Sequence, residues 1–223
     1  ENDELVDSDL GMIPEGWEVV PLEDICSKIT DGAHRSPQTT DQGYPMASVK
    51  DMHNWGINID SCRKISKADF TLLKKSDSTM IKNDVLIAKD GSYLKHCFVV
   101  ENDLEVALLS SIAILRPNEK VIPHLLAITL KQKNTKARMS GYVSGAALPR
   151  IILKDFKKFK IVLPKNEIQM LWINTIGPII NNCYRLIDKN KILRQTRDLL
   201  LPKLISGKID VSHMDIDTSI LHD

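Results

Sequence analysis

Asp155-Phe-Lys157 places a carboxylate and an ammonium two residues apart, a local arrangement with which metal-dependent nucleases hold a divalent cation beside a phosphate. Such a site needs further carboxylates upstream in register, and Asp84 is the one residue that could serve. Gly141-Tyr-Val-Ser-Gly145 has the glycines of a nucleophile elbow, but Ser144 stands one place too late in it. The chain contains no GxxxxGK[ST] phosphate loop and no glycine-rich strand-to-helix turn for a dinucleotide or adenosyl cofactor. It also lacks the Asn-Pro-Pro or Asp-Pro-Pro motif of enzymes that methylate a flipped base. Cys26, Cys62, Cys97 and Cys183 lie far apart with no CxxC pair, and the six histidines have no zinc-ligand spacing. Buried free thiols, no metal and no catalysis are the expectation.

Four loops carry groups better suited to nucleic acid. Asp31 to Pro37 joins Gly32 to His34 and Arg35, a short tip able to enter a groove. Lys50 to Gly56 offers Lys50, His53 and Asn54, the last a residue type able to pair two-pronged with adenine. Lys89 to His96 brings Lys89, Gly91, Ser92, Tyr93 and Lys95, and Gly141 to Arg150 brings Ser144 and Arg150. A two-pronged contact to a base edge contributes roughly 1 to 3 kcal/mol of discrimination, whereas lysine on phosphate adds affinity without sequence information. Taken one at a time, each loop is equally well a solvated turn with incidental charge.

Charge placement supports a polyanionic partner. All thirty Lys and Arg fall between Lys28 and Lys208, an interval that holds sixteen acids, so that the body carries +14 while the whole chain carries +1. Residues 1 to 27 hold nine acids and no Lys or Arg, and residues 209 to 223 hold four. A basic body between acidic ends gains by displacing counterions condensed on phosphates. No run approaches the roughly 18 to 20 apolar residues of a membrane span, and the acidic start lacks the layout of a signal peptide. A cytoplasmic protein is expected, with enough apolar residues (43%) for a core.

The elements that must position these loops follow from hydrophobic period. WEVVPL, YPMASV, DVLIAK, HCFVV, EVALLSSIAIL and FKIVLP are short apolar runs bounded by turn residues, the pattern of strands. Ser66-Lys-Ala-Asp69 has the form of a capping box, and Pro123 fits the first position of a helix over HLLAITLKQ. An α+β domain built around a mixed sheet results.

After Pro164 the period becomes helical. Trp172, Ile179, Leu186, Leu193 and Leu200 recur every seven residues, and Ile176, Cys183, Asn190, Arg197 and Leu204 follow four residues behind on the same face. Ile173, Ile180 and Ile187 widen the stripe in its first half. Pro178 is expected to kink the helix or restart it. About forty residues make a rod of order 60 Å, which either folds back on its own domain or forms a coiled coil between chains.

Several of these residues resemble, in order, the landmarks of a type I restriction-modification specificity (S) subunit. They are Leu10-Gly-Met-Ile-Pro-Glu-Gly-Trp-Glu-Val19, Asp31-Gly-Ala-His34 with Pro37, Asp84-Val-Leu-Ile-Ala-Lys-Asp-Gly91, Leu163-Pro164 with Gln169, and finally Arg197-Asp-Leu-Leu-Leu-Pro-Lys-Leu-Ile-Ser-Gly207. The resemblance divides the chain into an acidic segment 1–12, a target-recognition domain 13–164, a spacer helix 165–208 and an acidic tail 209–223. It implies a non-catalytic subunit that reads duplex DNA and organises methyltransferase (M) and restriction/translocase (R) subunits, to which S-adenosylmethionine, ATP and Mg would belong. Complete members resemble two such halves with antiparallel helices. One half alone is either a subunit that pairs with its own copy or a piece of a longer chain. A stand-alone metal-dependent nuclease and a coiled-coil scaffold without DNA affinity are the alternatives.

Overall fold

The computed structural model describes residues 4–90, 95–145 and 150–213. The chain divides into two compact units, Glu1–Asn174 and Thr175–Asp223. In the first, an antiparallel sheet has the strand order Cys97–Val99, Val85–Ala88, Ile112–Pro117, Cys26–Asp31. Val85-Leu-Ile-Ala88 is buried at every position, as a strand covered on both faces must be. Alternation sorts its residues: Val85 and Ile87 join Val99, Leu115, Leu126, Phe156 and Phe159 on one face, while Leu86 and Ala88 join Phe98, Ile112, Ile114, Met52 and Met80 on the other.

A smaller sheet pairs Tyr44–Ala47 with Arg63–Ile65 and, in parallel, with Ala107–Leu108. The run EVALLSSIAIL is therefore two strands in two sheets, divided by a turn in which Ile112 N–H donates to Leu109 O. Glu18–Pro21 pairs with Lys160–Leu163, which closes the domain on itself. The helix Lys67–Lys75 begins at Ser66, whose Oγ accepts from Asp69 N–H and donates to its carboxylate, and Pro123 opens the helix Pro123–Lys131. Lys133–Met139 is a further helix without a strong apolar stripe to announce it.

The long helix runs from Asn166 to Ile205. It is not restarted at Pro178. The helix continues through it, as it does through Pro202 near its end. Within the first unit, the buried Gln169 amide fixes the opening turns. Its Oε1 accepts from Ile122 N–H at 3.1 Å, and its Nε2 donates to Lys120 O and Pro164 O, both at 3.0 Å. In the second unit Ile180 is buried, and Ile176, Cys183 and Ile187 are half-buried. Ile179, Leu186, Leu193, Leu200 and Leu204 are exposed, as is every other residue from Lys189 to Lys208. Cys26, Cys62 and Cys97 are buried free thiols, each pushed up to about 12 chiefly by burial. Among the described residues no helix is long and apolar enough to cross a membrane.

Candidate nucleic-acid interface

One end of the central sheet collects the four loops. The register sets Ala113 opposite Asp31, Ile112 opposite Ala88 and Cys97 opposite Ile87, so the segments after Asp31 and Ala88 and those before Cys97 and Ile112 all emerge at that end. The fourth loop returns there through Arg150, which bridges Asp90, and through Ile151 N–H, which donates to Lys89 O at 3.1 Å. The segment carrying Lys50 is tied in by Ser111, whose Oγ accepts from Val49 N–H at 3.1 Å and whose carbonyl accepts from Lys89 N–H.

A charged network lies beneath the loops. Lys89 Nζ donates to Asp31 Oδ2 at 2.7 Å, and both side chains are nearly buried, at 6% and 12% exposure. The other Asp31 oxygen meets His34 Nε2 at 3.1 Å, and the ring stands 78% exposed. Arg150 Nε lies 3.0 Å from Asp90 Oδ1 without the angle of a hydrogen bond, leaving that oxygen unsatisfied. Lys89 is thus placed differently from the groove-facing base expected of it. Its ammonium is consumed by Asp31, and removing either charge would strand the other in a poorly solvated site. The visible function of the pair is to hold the first and third loops together.

Other expected residues do face solvent. Arg35, Lys50, His53, Asn54, Lys95, Ser144 and Arg150 are exposed, whereas Gly32 is buried. Gly32 is needed for closeness rather than for an unusual φ: a Cβ there would lie 2.2 Å from Leu108 O and 2.5 Å from Leu109 O. Ala33 N–H donates to Leu108 O and Ser110 N–H to Ala33 O, which locks this approach. Arg63 then grips the far side of the loop through Pro37 O and Ser36 Oγ, both at 2.7 Å, so that Arg35 is carried on a braced segment. Gly91, Ser92 and Tyr93 lie outside the described residues, as do residues 146–149 of the fourth loop.

The second loop is a hairpin. Met52–His53 pairs with Gly56–Ile57, with His53 opposite Gly56, so Asn54 and Trp55 form its tip. Asp51 braces its base by accepting from Ser48 N–H (2.8 Å), Ser48 Oγ (3.0 Å) and Ser61 Oγ (2.9 Å). At the tip, His96 Nδ1–H donates to Asn54 Oδ1 at 3.2 Å, and Trp55 N–H donates to His53 Nδ1 at 3.2 Å. Both imidazoles titrate below the usual histidine range, His53 through burial and His96 through burial and then the positive charge of Lys95, so both are neutral near pH 7. These bonds fix the tautomers. One lone pair of Asn54 Oδ1 is already used, and His53 keeps an Nε2–H donor for a partner. The expected adenine contact of Asn54 must therefore share its oxygen with His96.

The nuclease-like residues go elsewhere. Asp84 is fully buried and accepts both Arg116 Nε at 2.8 Å and Arg116 Nη2 at 3.0 Å, besides Ile81 N–H at 3.0 Å. Its hydrogen bonds raise the Arg116 pKa further. A carboxylate so saturated cannot serve as a metal ligand, and Asp155 stands exposed on the short helix Leu153–Phe156. Among the described residues no group of three or more His, Cys, Asp or Glu could hold a metal ion.

A braced α+β domain followed by a long helix is the fold of the S subunits of type I restriction-modification systems. The S subunit from M. genitalium superposes with a TM-score of 0.59 at 18% identity, over 86% of this chain and 46% of that one. The model of the type I restriction modification DNA specificity domain matches residues 14–200, and the chain belongs to that family. It is 27% identical over 213 residues to the type I restriction enzyme MjaIX specificity subunit of Methanocaldococcus jannaschii, covering 91% of this chain and 46% of that protein. It is 22% identical over 218 residues to the HindI specificity subunit of Haemophilus influenzae, covering 88% and 42%. The chain spans about half the length of the relatives it matches.

Proposed function

We propose that this chain reads one half of a bipartite duplex DNA site through the loop end of its central sheet, and that the long helix joins it to a second reader, a copy of itself or another specificity half. The observation that carries this reading is the gathering of four basic loops at one end of one sheet, the first and third joined by the Asp31–Lys89 pair, the second tied in through Ser111 and the fourth through Arg150 and Ile151. Arg35, Lys50, Lys95 and Arg150 supply charge for phosphates or guanine edges, and His34, His53, Asn54 and Ser144 supply hydrogen-bond donors and acceptors. The chain itself is non-catalytic. Methyltransferase and restriction/translocase subunits dock on the assembly and bring S-adenosylmethionine, ATP and Mg with them.

Two identical readers related by a two-fold axis demand a two-fold site. Selection from a random duplex pool with the purified chain, alone and beside a methyltransferase subunit, is expected to return an interrupted palindrome with half-sites about one helical turn apart. Recovery of a single asymmetric, uninterrupted site contradicts the pairing.

A further inference from the structure

We propose that the Asn54–Trp55 hairpin tip, with Lys131 beside it, forms a second duplex-contacting patch on the flank of the loop cluster: the Trp55 indole packs on the exposed edge of a base or sugar, and Lys131 neutralises the neighbouring phosphate. The inference rests on the DNA-reading function proposed for the loops and extends it to Trp55, at the tip of the second loop, and to Lys131 on a neighbouring helix. Trp55 stands at the tip of the hairpin with 38% of its surface open to solvent. The tip is also prevented from folding away. Asp51 holds the base of the hairpin, and His96, at the edge of the central sheet, holds Asn54.

Lys131 arrives from another direction. It is the last residue of the helix Pro123–Lys131 and is exposed, and its Nζ lies 5.9 Å from the centroid of the Trp55 ring. A cation over an aromatic face accounts for part of that proximity. Their common position gives more: an indole with an ammonium over its ring, and Lys95 adjacent to His96 in the chain, make the pairing of flat apolar surface and positive charge by which proteins follow nucleic acid without reading its sequence.

The test is fluorescence anisotropy of a labelled duplex carrying the selected site, between 50 and 200 mM KCl, with the full chain. Trp55→Ala is expected to weaken binding by about 10-fold or more, and Trp55→Phe to retain most of it. Lys131→Gln is expected to lower the slope of log affinity against log salt by about one, on matched and scrambled duplexes alike. Thermal midpoints serve as the control; should Trp55→Ala melt early, the Lys131→Gln slope decides. Wild-type affinity and slope in both variants, with the parent chain binding its site, overturn this patch and leave the reading of the loops standing. A parent chain indifferent to duplex at low salt overturns both.

Discussion

Asp84→Ala is expected to destabilise the domain by about 3 to 5 kcal/mol, the cost of breaking a buried ion pair by removing one partner. The carboxylate is fully buried and receives two guanidinium donors and a backbone N–H, so its loss leaves Arg116 and Ile81 N–H without an acceptor. Against a typical domain stability of about 5 to 15 kcal/mol, this is a large fraction, visible as a markedly lower urea midpoint. Asp84→Leu combined with Arg116→Met is expected to recover much of it, because an apolar pair of similar volume leaves no stranded charge. Were Asp84 instead a metal ligand, Asp84→Ala would be as stable as the parent or more so. Urea melts of the two variants decide between these roles.

The second large effect concerns the long helix. Leu186 and Leu193 are two turns apart on one stripe and are 51% and 57% exposed, values that a helical leucine shows when nothing lies across it. Leu186→Glu with Leu193→Glu should therefore leave the melting of the domain nearly unchanged. In a symmetric pair, however, the two changes remove four buried leucines, each contributing roughly 1.5 to 3 kcal/mol, and add four charges to the seam. Self-association is expected to weaken by more than about a thousandfold, enough to abolish it at micromolar concentration. Sedimentation across a concentration series measures this directly, and an unchanged oligomer in the double variant would remove the helix from the pairing.

Much of the fold was legible because burial writes itself into period. Val85-Leu-Ile-Ala88 reads as a fully covered strand and is one, and the capping box at Ser66 and the proline at 123 mark helix starts where helices begin. Cys26–Asp31 escaped because Ser27, Lys28, Thr30 and Asp31 dilute its apolar alternation; its place is set by pairing with Ile112–Pro117, some eighty residues away. Lys133–Met139 escaped for want of an apolar stripe. EVALLSSIAIL read as one run because Ser110-Ser111 is not a strong turn signal, although the backbone turns there.

The candidate site was legible as a set of loops and less so residue by residue. Turn residues and basic side chains announce the loops, but the partners of each side chain are non-local. Lys89 is fifty-eight residues from Asp31, and only the sheet register makes them an ion pair. Gly32, read from the sequence as part of a tip able to enter a groove, is a buried close-contact glycine, dictated by carbonyls at Leu108 and Leu109. Trp55 and Lys131 carried no signal as a pair, because a hairpin tip and a helix end had to meet before either gained meaning.

The central claim is that duplex DNA lies against the loop end of the central sheet. Photo-crosslinking tests it most directly, with a photoreactive side chain placed at Arg35 or at Arg150 on that end, or at Ser27 on the opposite end, where it bonds Arg116 O. Crosslinks to a bound duplex are expected from positions 35 and 150 and none from 27. Crosslinks from 27 with silence at 35 and 150 would contradict it.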